Sequence, residues 1–129
     1  MVERWTPDTT SGNYLITSYV YDDLGRLRYV LPPKSQPNLT TFTESSSDFA
    51  EGLYGYKYDR RGRVIEKHIP GADWEHIVYD VLDRPVLRQN ARQREGTNKR
   101  WTFTKYDFLG RVVQTGETIN ANSRDALQY

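Results

Sequence analysis

Tyr21-Asp22-Asp23-Leu24-Gly25-Arg26-Leu27 is the stretch whose reading decides the fold, because the chain writes it again three times. The copies are Tyr58-Asp59-Arg60-Arg61-Gly62-Arg63-Val64, Tyr79-Asp80-Val81-Leu82-Asp83-Arg84-Pro85 and Tyr106-Asp107-Phe108-Leu109-Gly110-Arg111-Val112. The frame is Y-D-x-x-(G/D)-R followed by an apolar residue, or by Pro85 in the third copy. Successive Tyr-Asp pairs are separated by 37, 21 and 27 residues. A bare unit of 21 residues with insertions of 16 and 6 accounts for the three spacings.

The frame has a mechanical meaning. An Asp opening the turn and a Gly three residues on suit a type I turn whose last residue takes positive φ and forms a bulge between antiparallel strands. The carboxylates of Asp22, Asp59, Asp80 and Asp107 can accept the turn N–H groups, and Gly25, Gly62 and Gly110 supply the positive-φ hinge. Asp83 takes the Gly slot of the third copy, and Asp tolerates the left-handed region better than most residues.

Segments on both sides of each turn read as strands. Tyr14 to Tyr21, Leu53 to Tyr58, Trp74 to Tyr79 and Trp101 to Tyr106 precede the turns and are rich in aromatic and β-branched residues. Arg26 to Leu31, Arg63 to Ile69, Arg84 to Asn90 and Arg111 to Thr115 follow them. Alternation is clean before the turns and poor after them, as in a sheet wetted on both faces or one whose register shifts at the turn. The expectation is an all-β chain of tandem antiparallel hairpins in a continuous curved sheet, with Tyr21, Tyr58, Tyr79 and Tyr106 as packing anchors.

The array spans residues 13–117, with polar insertions at 32–52 and 91–100; Pro32, Pro33 and Pro37 break the first of these. One short helix is expected within residues 38–52, near Ser46 to Glu51, and a turn at Glu95-Gly96-Thr97-Asn98. Residues 1–12 and 118–129 lack a periodic apolar pattern and read as loose ends. Single hairpins are marginal in water, so stability must reside in contacts between repeats. Cut from its neighbours, such an array frays at its outer hairpins or pairs with a second copy through an edge strand.

Composition sets the outer bounds. The chain has 129 residues and a formal charge of +1, so no overall field recruits nucleic acid or an anionic membrane. It contains 0 cysteines, which excludes disulfides and thiolate metal sites. No apolar run is long enough for a membrane-spanning helix, and the first residues lack the apolar core of a signal peptide. Hydrophobic residues are 36% of the chain, below the roughly 45–50% of ordinary globular domains, so a thick aliphatic core is not expected.

The repeat resembles the YD repeat of the Rhs family over about residues 14 to 116. The phrases Leu31-Pro32-Pro33, Ile69-Pro70-Gly71-Ala72, Val78-Tyr79-Asp80 and Phe103-Thr104-Lys105-Tyr106-Asp107 are similar to Rhs proteins of the Bacteroidetes type. That resemblance implies a segment of a large secreted or cell-surface protein, whose repeats wind a β-sheet shell around a toxic domain, as in insecticidal toxin complexes, or belong to the extracellular region of teneurins. The chain is too short to close such a shell, and reads as a fragment whose partners are neighbouring repeats of a parent chain.

The residues offer little for other chemistry. The pairs Asp22/Arg26, Asp59/Arg63, Asp80/Arg84 and Asp107/Arg111 recur with every hairpin, as turn fasteners must and a catalytic site need not. Only His68 and His76 are present, without a metal-binding motif, and neither a nucleophile elbow nor a phosphate loop occurs. The expectation is no enzyme, no metal and no cofactor. Two binding alternatives stand beside the scaffold: a glycan on aromatic ledges at Trp74 and Trp101, and single-stranded nucleic acid on the basic stretch 84–100.

Overall fold

The computed structural model describes residues 1–7, 14–33, 44 and 47–128. Among these residues are nine strands in an antiparallel sheet, ordered in space as in sequence, and three short helices. Strands β2 (Tyr14–Tyr21) and β3 (Leu27–Leu31), β4 (Tyr54–Tyr58) and β5 (Val64–His68), β6 (Glu75–Tyr79) and β7 (Pro85–Gln89), and β8 (Arg100–Tyr106) and β9 (Val112–Ile119) flank the four repeated turns. The all-β hairpin architecture is therefore that of the structure.

Each resolved pairing across a turn shifts by one residue at the same place. Tyr21 faces Leu27 while Val20 faces Tyr29, which leaves Arg28 as an extra residue on β3. The same bulge makes Val86 the extra residue on β7 and Val113 the extra residue on β9. A bulge resets the side-chain phase, and this is why apolar alternation is lost after the turns.

Two compact units make up the chain. The first comprises Met1–Lys57 with Lys67–Asp73, and the second Tyr58–Glu66 with Trp74–Tyr129.

In the first unit, β1 (Val2–Pro7) pairs with β2, so part of the N-terminal segment read as loose is a strand. Two adjacent charged residues, Glu3 and Arg4, separate Val2 from Trp5, so the segment has no period-2 pattern to mark it as a strand without its partner. Helix α1 (Ser47–Gly52) lies inside the first insertion. Its Phe49 is fully buried, edge-on to Tyr29 and 4.4 Å from the His68 ring. His68 Nδ1 lies 2.8 Å from the Leu53 carbonyl oxygen, which can only accept, so this nitrogen donates. Leu31 and Leu53 complete that small core.

Ile77, Val78 and Trp101 form the buried apolar set of the second unit. Gly116 is required there by a close approach: a Cβ on it would sit 2.9 Å from the Phe103 ring. The second insertion holds α2 (Ala91–Arg94), closed by a capping box in which the Asn90 side chain accepts the Gln93 N–H and the Gln93 side chain accepts that of Asn90. Gln93 Nε2 then donates to Thr102 and Glu117.

The C-terminal stretch read as loose also contains regular elements among the described residues. Strand β9 runs to Ile119, and α3 (Arg124–Leu127) packs on β6. Arg124 Nε donates to the Ile77 carbonyl at 3.0 Å, and the Gln128 amide bridges both backbone polar groups of Tyr79. Helices α2 and α3 thus add to the single helix expected; each needs a cap and a sheet to lean on rather than a periodic apolar face.

Candidate functional site

The repeated turn has one geometry in all four copies. In the first, the Gly25 N–H donates to the Asp22 carbonyl at 2.9 Å and the Asp22 N–H to the Arg26 carbonyl at 2.8 Å. Asp22 Oδ1 accepts the N–H groups of Leu24 and Arg26, while Oδ2 accepts Arg26 Nε at 2.7 Å. The same set recurs around Asp59, Asp80 and Asp107. Positive φ falls at Gly25 (75°), Gly62 (78°), Asp83 (62°) and Gly110 (79°).

These bonds shift the acids in one direction. The Arg26 N–H beside Asp22 and the Arg111 N–H beside Asp107 hold those carboxyls below the usual carboxylate range. Burial works to raise Asp59 and Asp80, but the backbone N–H and guanidinium of Arg63 and of Arg84 outweigh it, so both are lowered.

A second arrangement joins one repeat to the next. The Tyr79 hydroxyl donates to the Val64 carbonyl at 2.8 Å, and the Arg63 guanidinium lies 4.9 Å from the centre of the Tyr79 ring. One repeat further on, Tyr106 donates to the Pro85 carbonyl at 2.8 Å with Arg84 at 4.7 Å from its ring. The rule is that the Tyr of one repeat closes on the Arg of the repeat before it, and on the carbonyl just after that Arg. Arg84 also donates to the Asp107 carbonyl at 3.4 Å.

Asp83 does more than fill a glycine slot. Its carboxylate pairs with Arg61 at 3.0 Å and with Arg63 at 2.8 Å, both in the preceding repeat. Glycine could supply the φ but not these two ion pairs, a role invisible when only the turn is considered.

The remaining expected residues lie as follows. Tyr58 is half-buried. Tyr21, expected as an anchor, is 45% exposed, because β1 reaches only as far as Tyr19, opposite Val2. Trp74 is half-buried. Trp101, expected with Trp74 as a sugar ledge, is fully buried on β8, with Nε1 unpartnered among the described residues.

The basic stretch is dispersed over separate partners. Arg84 pairs with Asp80, Arg88 with Glu75, Arg94 with the Gln89 carbonyl and Arg100 with Glu117. Among the described residues no group of three acids or histidines is placed to hold a metal. No helix among them is long and apolar enough to cross a membrane.

The backbone matches a stretch of a solved toxin pore. That structure is a Photorhabdus luminescens Tc holotoxin pore carrying the TccC3-D651A mutation, with a TM-score of 0.58 and 16% identity. The match covers 92% of this chain and 5% of that one, so this chain spans about a twentieth of its length. At that identity the likeness concerns the fold. No family model and no curated protein matches the chain.

Proposed function

We propose that the chain is a non-catalytic structural repeat segment of a larger Rhs-like secreted or cell-surface protein, contributing a piece of β-sheet wall. The observation that carries this reading is the Tyr-to-Arg closure between successive repeats. Its polar groups are spent on holding hairpins together, and it occurs wherever one repeat meets the next within the second unit. Similarity in fold to a Tc holotoxin pore supports it. The glycan alternative loses weight with Trp101 enclosed.

The test is whether cutting the closure is felt in the repeat before it. Tyr106→Phe removes the hydroxyl that meets Pro85 and should cost about 0.5–1.5 kcal/mol in urea unfolding. Hydrogen exchange should quicken in Pro85–Gln89 as well as in β8. Loss of protection confined to the fourth hairpin would overturn a scaffold role for the closure.

A further inference from the structure

The outer edge of β9 carries the same closure with its tyrosine missing. Arg111 is held by Asp107 as its counterparts are held, with Nε at 2.8 Å from Oδ2 and the backbone N–H at 2.9 Å from Oδ1. Yet its side chain is 72% exposed, against 14% for Arg63 and 28% for Arg84, the two covered by a tyrosine ring. The Val112 carbonyl is the counterpart of those on Val64 and Pro85 that accept a Tyr hydroxyl.

β9 is last in the sheet order, so one of its edges is open among the described residues, and Val112 and Val113 are 57% and 62% exposed. The described residues beyond β9 do not cover that edge. Asn120 bonds back to Lys99, and α3 docks on β6 through Arg124 and Gln128.

We propose that Arg111, the Val112 carbonyl and the free edge of β9 form a docking site for an antiparallel strand that ends in Tyr-Asp. The occupant is specified by the two filled copies: main-chain bonds along β9, a ring under the guanidinium and a hydroxyl on the carbonyl. A second copy of this chain fits poorly, since neither edge strand, Val2–Pro7 or Val112–Ile119, contains a tyrosine. The proposal rests on the closure being a repeat-to-repeat device, as argued above.

The probe is a synthetic peptide copying residues 98–117, whose Tyr106-Asp107 would meet Arg111, titrated into the full chain and followed by amide chemical shifts. Shifts should concentrate in Val112–Ile119. Replacing the peptide's tyrosine by phenylalanine should weaken binding about 2–10-fold, and Arg111→Ala in the protein by a similar about 2–10-fold factor. Combined, the two changes should cost less than the product of the separate losses, because they remove one joint contact.

Arg111 is exposed, so its removal leaves the fold intact, which near-ultraviolet circular dichroism checks. Shifts at β1 instead of β9, additive losses, or equal binding by the phenylalanine peptide would overturn the proposal. A damaged closure at Tyr106 with Arg84 sinks both readings; an intact one with no peptide binding sinks this one alone.

Discussion

Between Asp22 and Arg26 the carboxylate and the turn's backbone bonds are satisfied by residues of the same five-residue stretch, and three further turns repeat the solution bond for bond. The connections between hairpins do the opposite. The stretch from Leu31 to Tyr54 supplies Phe49 and Leu53 to a core shared with Tyr29 and His68, far apart in sequence. The one after β7 supplies Gln93, which is spent on Thr102 and Glu117. The repeated turns fix topology and contribute little apolar burial, their second and third residues standing in solvent, as Phe108 does at 95% exposure. The irregular connections add Phe49, Leu53 and Gln93 to the buried residues that the strands supply.

The largest effect should therefore come from a residue outside the repeat. Phe49→Ala deletes a ring that is 1% exposed and should cost about 3–5 kcal/mol in urea or thermal unfolding, by lost transfer energy and the cavity left. Leu24→Ala, at a turn position that is 77% exposed, should stay within about 0.5 kcal/mol. Equal losses from the two would erase the contrast between turns and connections.

Inside the turn, the hinge should be the most sensitive position. A Cβ at Gly62 meets nothing within 4 Å, so substitution there is opposed by φ alone. Gly62→Val should cost about 1–3 kcal/mol, and Gly62→Asp less, because Asp83 already holds φ 62° in the third copy. Similar unfolding midpoints for the two variants would mean that backbone strain is not what the slot selects.

The sequence made the turns legible because each is a local contract: five residues determine their own bonds, so the residue types at Asp59 to Arg63 are sufficient evidence. Fold class followed from that. Strand β1 was not legible, since its pattern gains meaning only against Tyr14–Tyr21. Helix α2 could have been found, because Asn90-x-x-Gln93 is a capping-box spelling; α3 could not, as its hold on β6 depends on Arg124 meeting the Ile77 carbonyl 47 residues away. The closure of Tyr79 and Tyr106 on Arg63 and Arg84 was half legible: the residue types were evident, and their pairing needed the sheet.

The smallest expected effect separates charge from geometry within the turn. Asp22, Asp59, Asp80 and Asp107 are each held below the usual carboxylate range, so between their folded and unfolded values the unfolded chain binds more protons. Stability from these acids is then fully present above about pH 4 and is lost as pH falls from there through the lowered folded values. Asp80→Asn keeps an oxygen able to accept the N–H groups of Leu82 and Arg84 while removing the proton uptake. The turn should survive, with a loss near pH 6 of no more than about 1 kcal/mol, as for an exposed pair. Measured as urea midpoints from pH 6 down to pH 2.5, the variant should depend less steeply on pH below about 4 than the parent. An identical slope would mean that Asp80 contributes nothing to the acid sensitivity, with Asp59, which is lowered by the same contacts, as the next carboxylate to replace.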